Sequence, residues 1–294
     1  MTARSNLLTA EAAARAKELE FFARTRVEGF LKGQNWSRRK GASTEFLQHR
    51  AYMPGDDLRR LDWRVFARTD RLVTREYEEF TNLDAVLALD TSGSMGYAGE
   101  AMSKIEFARH CAAMLAYLLN LQNDRFGFAA LSARVTDFLA PSNGKRHLAE
   151  LFRRMVSAAP AGETDMGACG AELLRRAGRK SVFVVFSDCF QEPAGLCRGL
   201  GMLRQQGHDV LVLHVFDPSE TDLVFPGFTL FRDLETGQLD GADPMELREA
   251  YRDVCRAHSQ ALKDGLNSYG VEFAPLPVTA EWDVALAELL MRRR

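Results

Sequence analysis

The sequence predicts an α/β fold, a doubly wound and mostly parallel sheet with an antiparallel edge strand, and three observations carry that prediction. Short apolar, β-branched runs recur at 85–89, 126–131, 182–186, 210–216 and 271–274. Helix-length segments at about 103–122, 145–157, 165–178, 193–206, 245–268 and 281–291 lie between or after them. The runs are continuously apolar rather than alternating, as strands buried on both faces are, and helical crossovers make such strands parallel. The exception is 134–139, which alternates and follows 126–131 after only Ser132-Ala133. It is expected to turn back as the antiparallel edge strand.

The remaining segments fill in around that frame. Over 9–32, Leu19, Phe22, Ala23, Val27, Phe30 and Leu31 recur on one face of a helix, with Glu18, Glu20, Arg24 and Arg26 mostly elsewhere. That mixed charge favours a helix packed on its own protein over one lying on a membrane. Residues 35–82 lose the periodicity, are dense in arginine, and carry the turn signal Pro54-Gly55-Asp56-Asp57. A strand is expected within 69–80. Residues 217–244 interrupt the later rhythm, and 229–235 and 238–240 flank Thr236-Gly237 as a hairpin excursion. The chain therefore divides into a helix (1–34), an irregular segment packed on the main domain (35–82) and the α/β domain (83–294).

Composition narrows the function. In 294 residues, 46% hydrophobic and 27% charged content supplies a sizeable core and excludes a disordered or fibrous chain. With 38 Lys+Arg against 40 Asp+Glu the formal charge is −2, which excludes a whole-surface grip on nucleic acid. The arginine-rich stretch 50–75 is interleaved with Asp56, Asp57, Asp62 and Asp70, so it makes a weak nucleic-acid patch. No run approaches the roughly 20 apolar residues that span a bilayer, and the N-terminus shows no secretory pattern. Five cysteines, odd in number and without a CxxC, read as reduced buried thiols. The chain reads as cytoplasmic, with attachment to a membrane through a partner left open.

Chemistry concentrates at strand ends. The run 85–89 leads into Asp90-Thr91-Ser92-Gly93-Ser94-Met95, and 182–186 leads into Ser187-Asp188. Ligands of open α/β sheets bind outside the carboxyl ends of strands where the strand order reverses. If these two strands are neighbours there, Asp90, Ser92, Ser94 and Asp188 converge, and Thr164 in the loop Gly162-Glu163-Thr164-Asp165 adds a hydroxyl. Such a set of hard oxygens suits Mg²⁺ or Mn²⁺. The bland reading is a capped strand-to-helix turn; pairing two strand ends favours the metal.

Two motifs resemble known families. Asp90-Thr91-Ser92-Gly93-Ser94 matches the DxSxS signature of the metal-ion-dependent adhesion site in von Willebrand factor A domains. That resemblance implies direct metal contacts from Ser92, Ser94 and Thr164, with Asp90 and Asp188 acting mainly through bound water. Tyr52-Met53-Pro54-Gly55-Asp56-Asp57-Leu58-Arg59-Arg60-Leu61-Asp62-Trp63, with Ala67-Arg68 after it and Glu45-Phe46 and Arg50 before it, resembles the signature of bacterial domain-of-unknown-function 58 proteins. In that family the segment precedes a von Willebrand factor A domain. The resemblance implies a MoxR-type AAA+ ATPase, or one of its clients, as partner. Taken as residues alone, 52–63 reads as structural rather than catalytic.

These readings predict a non-enzymatic, metal-dependent protein-interaction module that takes a carboxylate from its partner. The alternative is a Mg²⁺-dependent phosphatase or phosphoryl-transfer enzyme, since a strand-end aspartate beside an ion can serve as nucleophile or ligand. Against it stands the expectation that no general base or phosphate-binding lysine lies near these loops. No GxxxxGK[ST] phosphate loop or G-x-S-x-G elbow is present. Among the histidines, His214 lies within a strand and reads as a core residue.

Overall fold

Six strands form the central sheet in the order β10-β7-β6-β3-β4-β5, and every neighbouring pair is parallel except β4–β5. They are β3 (Asp84–Asp90), β4 (Arg125–Leu131), β5 (Val135–Ser142), β6 (Ser181–Ser187), β7 (Asp209–Phe216) and β10 (Glu272–Pro277). The structure is a computed structural model that describes residues 2–33, 45–51, 65, 68–69, 72–78, 84–99, 102–223, 227–282, 284 and 287. The chain splits into two compact units, Met1–Trp36 with Leu83–Arg294, and Ser37–Asn82.

Four of the long helices start where a side chain takes up free amides, whereas Lys145–Ser157 begins at Gly144 without a side-chain cap. The helices are α1 (Thr2–Gly33), α2 (Lys104–Gln122), α3 (Lys145–Ser157), α4 (Met166–Arg176), α5 (Pro193–Gln205), the short α6 (Pro218–Asp222) and α7 (Pro244–Ser268). Ser103 caps α2, Asp165 caps α4, Glu192 caps α5 and Asp243 caps α7, the last two with proline in the first turn. Prolines there forgo an amide that would be unbonded anyway.

Alternate strand residues enter opposite layers, which is why the runs are continuously apolar. Leu87 and Leu89 join Phe107, Phe126, Phe128 and Phe152 on one side; Val86 and Ala88 join Phe183, Leu173, Leu200 and Leu262 on the other. Each fully buried phenylalanine contributes roughly 1.5–3 kcal/mol. The first layer is closed by α1: Leu19, Ala23 and Val27 are buried in it, so the N-terminal helix packs on its own protein. Trp282 stacks on Phe107 at 4.9 Å and meets Phe22 edge-on at 5.0 Å; the helix expected over 281–291 lies mostly outside the described residues. In the second layer α4 and α5 cross at Gly170 and Gly199, so close that a Cβ on Gly170 would stand 2.2 Å from the Gly199 carbonyl oxygen.

The expected antiparallel strand is β5, at the sheet edge. The expected excursion is a hairpin of β8 (Thr229–Arg232) and β9 (Leu239–Ala242). Its first strand is shorter than the sequence suggests, because Asp233 closes the turn: its carboxylate accepts the amides of Glu235 and Thr236 and the Thr236 hydroxyl. The second unit contains an antiparallel pair, β1 (Glu45–Ala51) and β2 (Val73–Glu78). Of these, β2 falls within the strand expected over 69–80, and β1 was not anticipated. The Tyr52-to-Trp63 motif lies outside the described residues.

Cys111, Cys169, Cys189 and Cys197 are free and buried, and Cys255 is partly exposed. Burial raises the pKa of all four buried thiols, that of Cys169 to about 12. Ellman's reagent should therefore titrate one thiol rapidly in the native protein and all five after denaturation. A second fast thiol in the native state would contradict this packing.

Candidate functional site

The sheet reverses direction between β3 and β6: after β3 the chain adds β4 and β5 on one side, then returns to place β6 and β7 on the other. The carboxyl ends of β3 and β6 therefore flank the crevice where ligands of such sheets bind. Asp90 ends β3, and Ser187-Asp188 ends β6.

Backbone bonds hold the β3 loop against its neighbours. The Thr91 amide and hydroxyl both donate to the Leu131 carbonyl, at 2.8 and 2.7 Å. Gly93 N–H donates to the Gly162 carbonyl at 2.7 Å, and Ala161 N–H to the Thr91 carbonyl at 2.8 Å. A single 3₁₀ turn, Gly93–Gly96, follows. These bonds bring Thr164 to Asp90 across the crevice.

Four of the five expected residues gather around the buried Asp90 carboxylate or beside its loop. Its Oδ1 accepts the Ser92 amide at 2.9 Å and the Thr164 hydroxyl at 2.5 Å. Its Oδ2 accepts the Ser187 hydroxyl, whose oxygen in turn accepts the Cys189 amide at 2.9 Å. Ser92 Oγ and Ser94 Oγ lie 3.1 Å apart. Asp90, Ser92, Thr164 and Asp188 line one cleft together with Glu163, Phe190, Gln191 and Glu235.

The fifth, Asp188, is buried in the same cleft but already has a cation. Its Oδ2 accepts from Lys104 Nζ at 2.8 Å, and the same ammonium donates to Glu220 Oε1 at 2.7 Å. A lysine does stand beside these loops, but as the partner of two carboxylates rather than as a phosphate-binding group. Burial works against the Lys104 charge, but Asp188 and Glu220 outweigh it and hold the pKa above the ordinary lysine value. With only 3% of its side chain exposed, Lys104 is committed to those two carboxylates.

Asp90 is the opposite case. It is 1% exposed, its three hydrogen-bond donors are neutral, and the nearest described lysine, Lys104, pairs with Asp188 and Glu220 instead. Burial, and then the Asp188 charge, push its pKa up to about 6, against the pull of Ser187, Thr164 and Ser92. A carboxylate so placed gains from an added cation. Among the described residues no three His, Cys, Asp or Glu side chains converge as a metal-binding group. The oxygens that suit an ion here are hydroxyls: Thr164 gives its proton to Asp90 and keeps lone pairs for a cation, and the Ser92 and Ser94 hydroxyls, bonded to each other, also keep lone pairs.

Sequence reasoning missed Ser187, Lys104, Glu220 and Glu235. Ser187 stood in plain view beside Asp188. Glu220 had a signal too, since Asp217-Pro218-Ser219-Glu220 forms a capping box at the start of α6. His214, stacked between Phe216 and Phe273, is held neutral by burial with a pKa down at about 4, in keeping with a core role.

A family model described as "Protein of unknown function DUF58" matches residues 48–261. Uncharacterized protein Rv1480 of Mycobacterium tuberculosis is 26% identical over 286 residues, covering 96% of this chain and 90% of its own. Uncharacterized protein Mb1516 of Mycobacterium bovis matches to the same extent. Among solved structures, the conserved hypothetical protein BatB from Bacteroides thetaiotaomicron aligns with 71% of this chain and 98% of its own, at 17% identity and a TM-score of 0.48. An aerotolerance-related membrane protein from Bacteroides fragilis aligns with 71% and 97%, at 19% identity and a TM-score of 0.48. In the chain itself, no helix among the described residues is long and apolar enough to cross a membrane.

Proposed function

The chain belongs to the DUF58 family, and we propose that it is a protein-interaction module of the von Willebrand factor A type whose adhesion site works with Mg²⁺ or Mn²⁺. The observation that carries this reading is Asp90: a buried carboxylate at the reversal point of the sheet, held by two hydroxyls and an amide and, among the described residues, in no ion pair. Ser92, Ser94 and Thr164 would hold the ion directly, with Asp90 and Asp188 behind them. When bound, the ion would supply a positive centre able to attract an anionic oxygen, such as a carboxylate of a partner. The chain's own residues do the rest. Asp90 orients the Thr164 hydroxyl and the Ser92 backbone, Ser187 fixes Asp90, and Lys104 pairs with Asp188 in the crevice. Family resemblance makes a MoxR-type AAA+ ATPase or one of its clients the partner of choice.

The phosphatase alternative gains no support from Lys104, because both of its carboxylate partners retain it. Calorimetry with Mg²⁺ and with Mn²⁺ tests the proposal on the full chain and on Ser92→Ala. The wild type should bind one ion, and the variant should bind at least about tenfold more weakly for loss of a ligand. Equal binding by both, or none by the wild type, would sink the proposed site. Phosphate release from a generic aryl phosphate in the presence of Mg²⁺ would bring the enzyme reading forward instead.

A further inference from the structure

The β8–β9 hairpin does not stand free of the site. Its turn lies over the β3 loop: a Cβ on Gly93 would fall 2.4 Å from the Leu234 carbonyl oxygen and 2.9 Å from its carbon. The absence of a side chain at 93 is what admits the hairpin backbone. The next residue, Glu235, is half-buried in the cleft with Asp90, Ser92, Thr164 and Asp188, and the Ser94 hydroxyl and amide face its carboxylate. The turn that presents it is stiffened by the three hydrogen bonds to Asp233.

We infer that Glu235 is the chain's own stand-in for the partner carboxylate: with the divalent ion bound, Glu235 fills the remaining position and latches the hairpin over the site. This rests on the metal-site reading above. A partner would then have to offer an acidic side chain and displace the 229–242 hairpin to gain the ion. The exposed Leu230 and Leu239 on that hairpin would move with it. Gly93 would be required for the latch and not only for the loop.

Hydrogen exchange read by mass spectrometry tests this, with calorimetry on the same samples. Saturating Mg²⁺ should slow exchange of the 229–242 amides by about tenfold or more in the wild type and leave them unchanged in Glu235→Gln. With Mn²⁺ as the probe, water-proton relaxation should rise in Glu235→Gln, because water enters the position the carboxylate leaves. If the ion binds the wild type but neither the exchange nor the relaxation separates the two proteins, the latch is refuted and the metal site stands. If neither Mg²⁺ nor Mn²⁺ binds the wild type, the site reading fails and the latch with it.

Discussion

Replacing Lys104 with methionine should destabilise the metal-free protein by about 3 kcal/mol, the lower end of the range for breaking a buried ion pair by removing one partner. The lower end is chosen because the two carboxylates differ. Glu220 retains 29% of its side-chain surface and sits on a five-residue helix, so it relaxes into water; Asp188 retains 5% and does not. The damage would spread through a small network. Lys104 donates its backbone amide to the Tyr97 carbonyl, Tyr97 and Ser219 share a hydrogen bond at 2.9 Å, and Gly99 N–H donates to Asp217 at 3.1 Å. Urea unfolding in EDTA measures the loss as a lower midpoint with an unchanged slope. The sharper expectation concerns Mg²⁺. Once Lys104 is gone, Asp188 is free to act on the ion alone, so Mg²⁺ should raise the variant's stability by more than it raises the wild type's. A midpoint shift worth under about 1 kcal/mol would show that Lys104 is not the counter-charge that keeps Asp188 in the crevice.

What could be read from the sequence follows from the range of the interactions involved. Burial on both faces writes itself into consecutive residues, so the runs at 85–89 and 182–186 and the helix over 145–157 reappear as β3, β6 and Lys145–Ser157. The Asp90–Thr164 juxtaposition could be anticipated because strand ends and their loops follow from topology. The β1 strand could not, since its register shifts between Phe46 and Gln48 and breaks the two-residue period. Lys104 and Glu235 belong to a third class. Lys104 lies 84 residues from Asp188 and 116 from Glu220, and nothing local marks a helix-start lysine as the neutraliser of a strand-end aspartate. Glu235 is an ordinary turn residue until Gly93 admits its backbone. Both belong to the electrostatics of the site, which only the assembled crevice reveals.

The substitution Asp90→Asn should reverse the order of stability between two conditions. In EDTA at pH 7 the variant should be the more stable protein, by about 1–2 kcal/mol. Asparagine can still accept the Ser92 amide and the Thr164 hydroxyl at one oxygen and turn its amide toward Ser187, while removing a buried charge that, among the described residues, forms no ion pair. The sign follows from the raised pKa. A carboxyl whose folded pKa is about 6 against 3.8 for the free side chain favours folding below the lower value and loses that contribution as pH rises through the upper one. The full difference, on the order of 3 kcal/mol at neutral pH, is an upper bound, because the amide must reorient the Ser187 hydroxyl. The variant's advantage should therefore shrink as pH falls from 7 toward 4. Mg²⁺ at about 100 times its dissociation constant stabilises the protein that binds it by about 2.7 kcal/mol. The wild type should then overtake an Asn variant that binds no ion. Unfolding midpoints at two pH values, with EDTA and with Mg²⁺, give all four corners of this comparison. A variant that is weaker in EDTA at pH 7 would mean that Asp90 is held by its hydrogen bonds and has no need of a cation. Equal stabilisation of both proteins by Mg²⁺ would place the ion somewhere other than the end of β3.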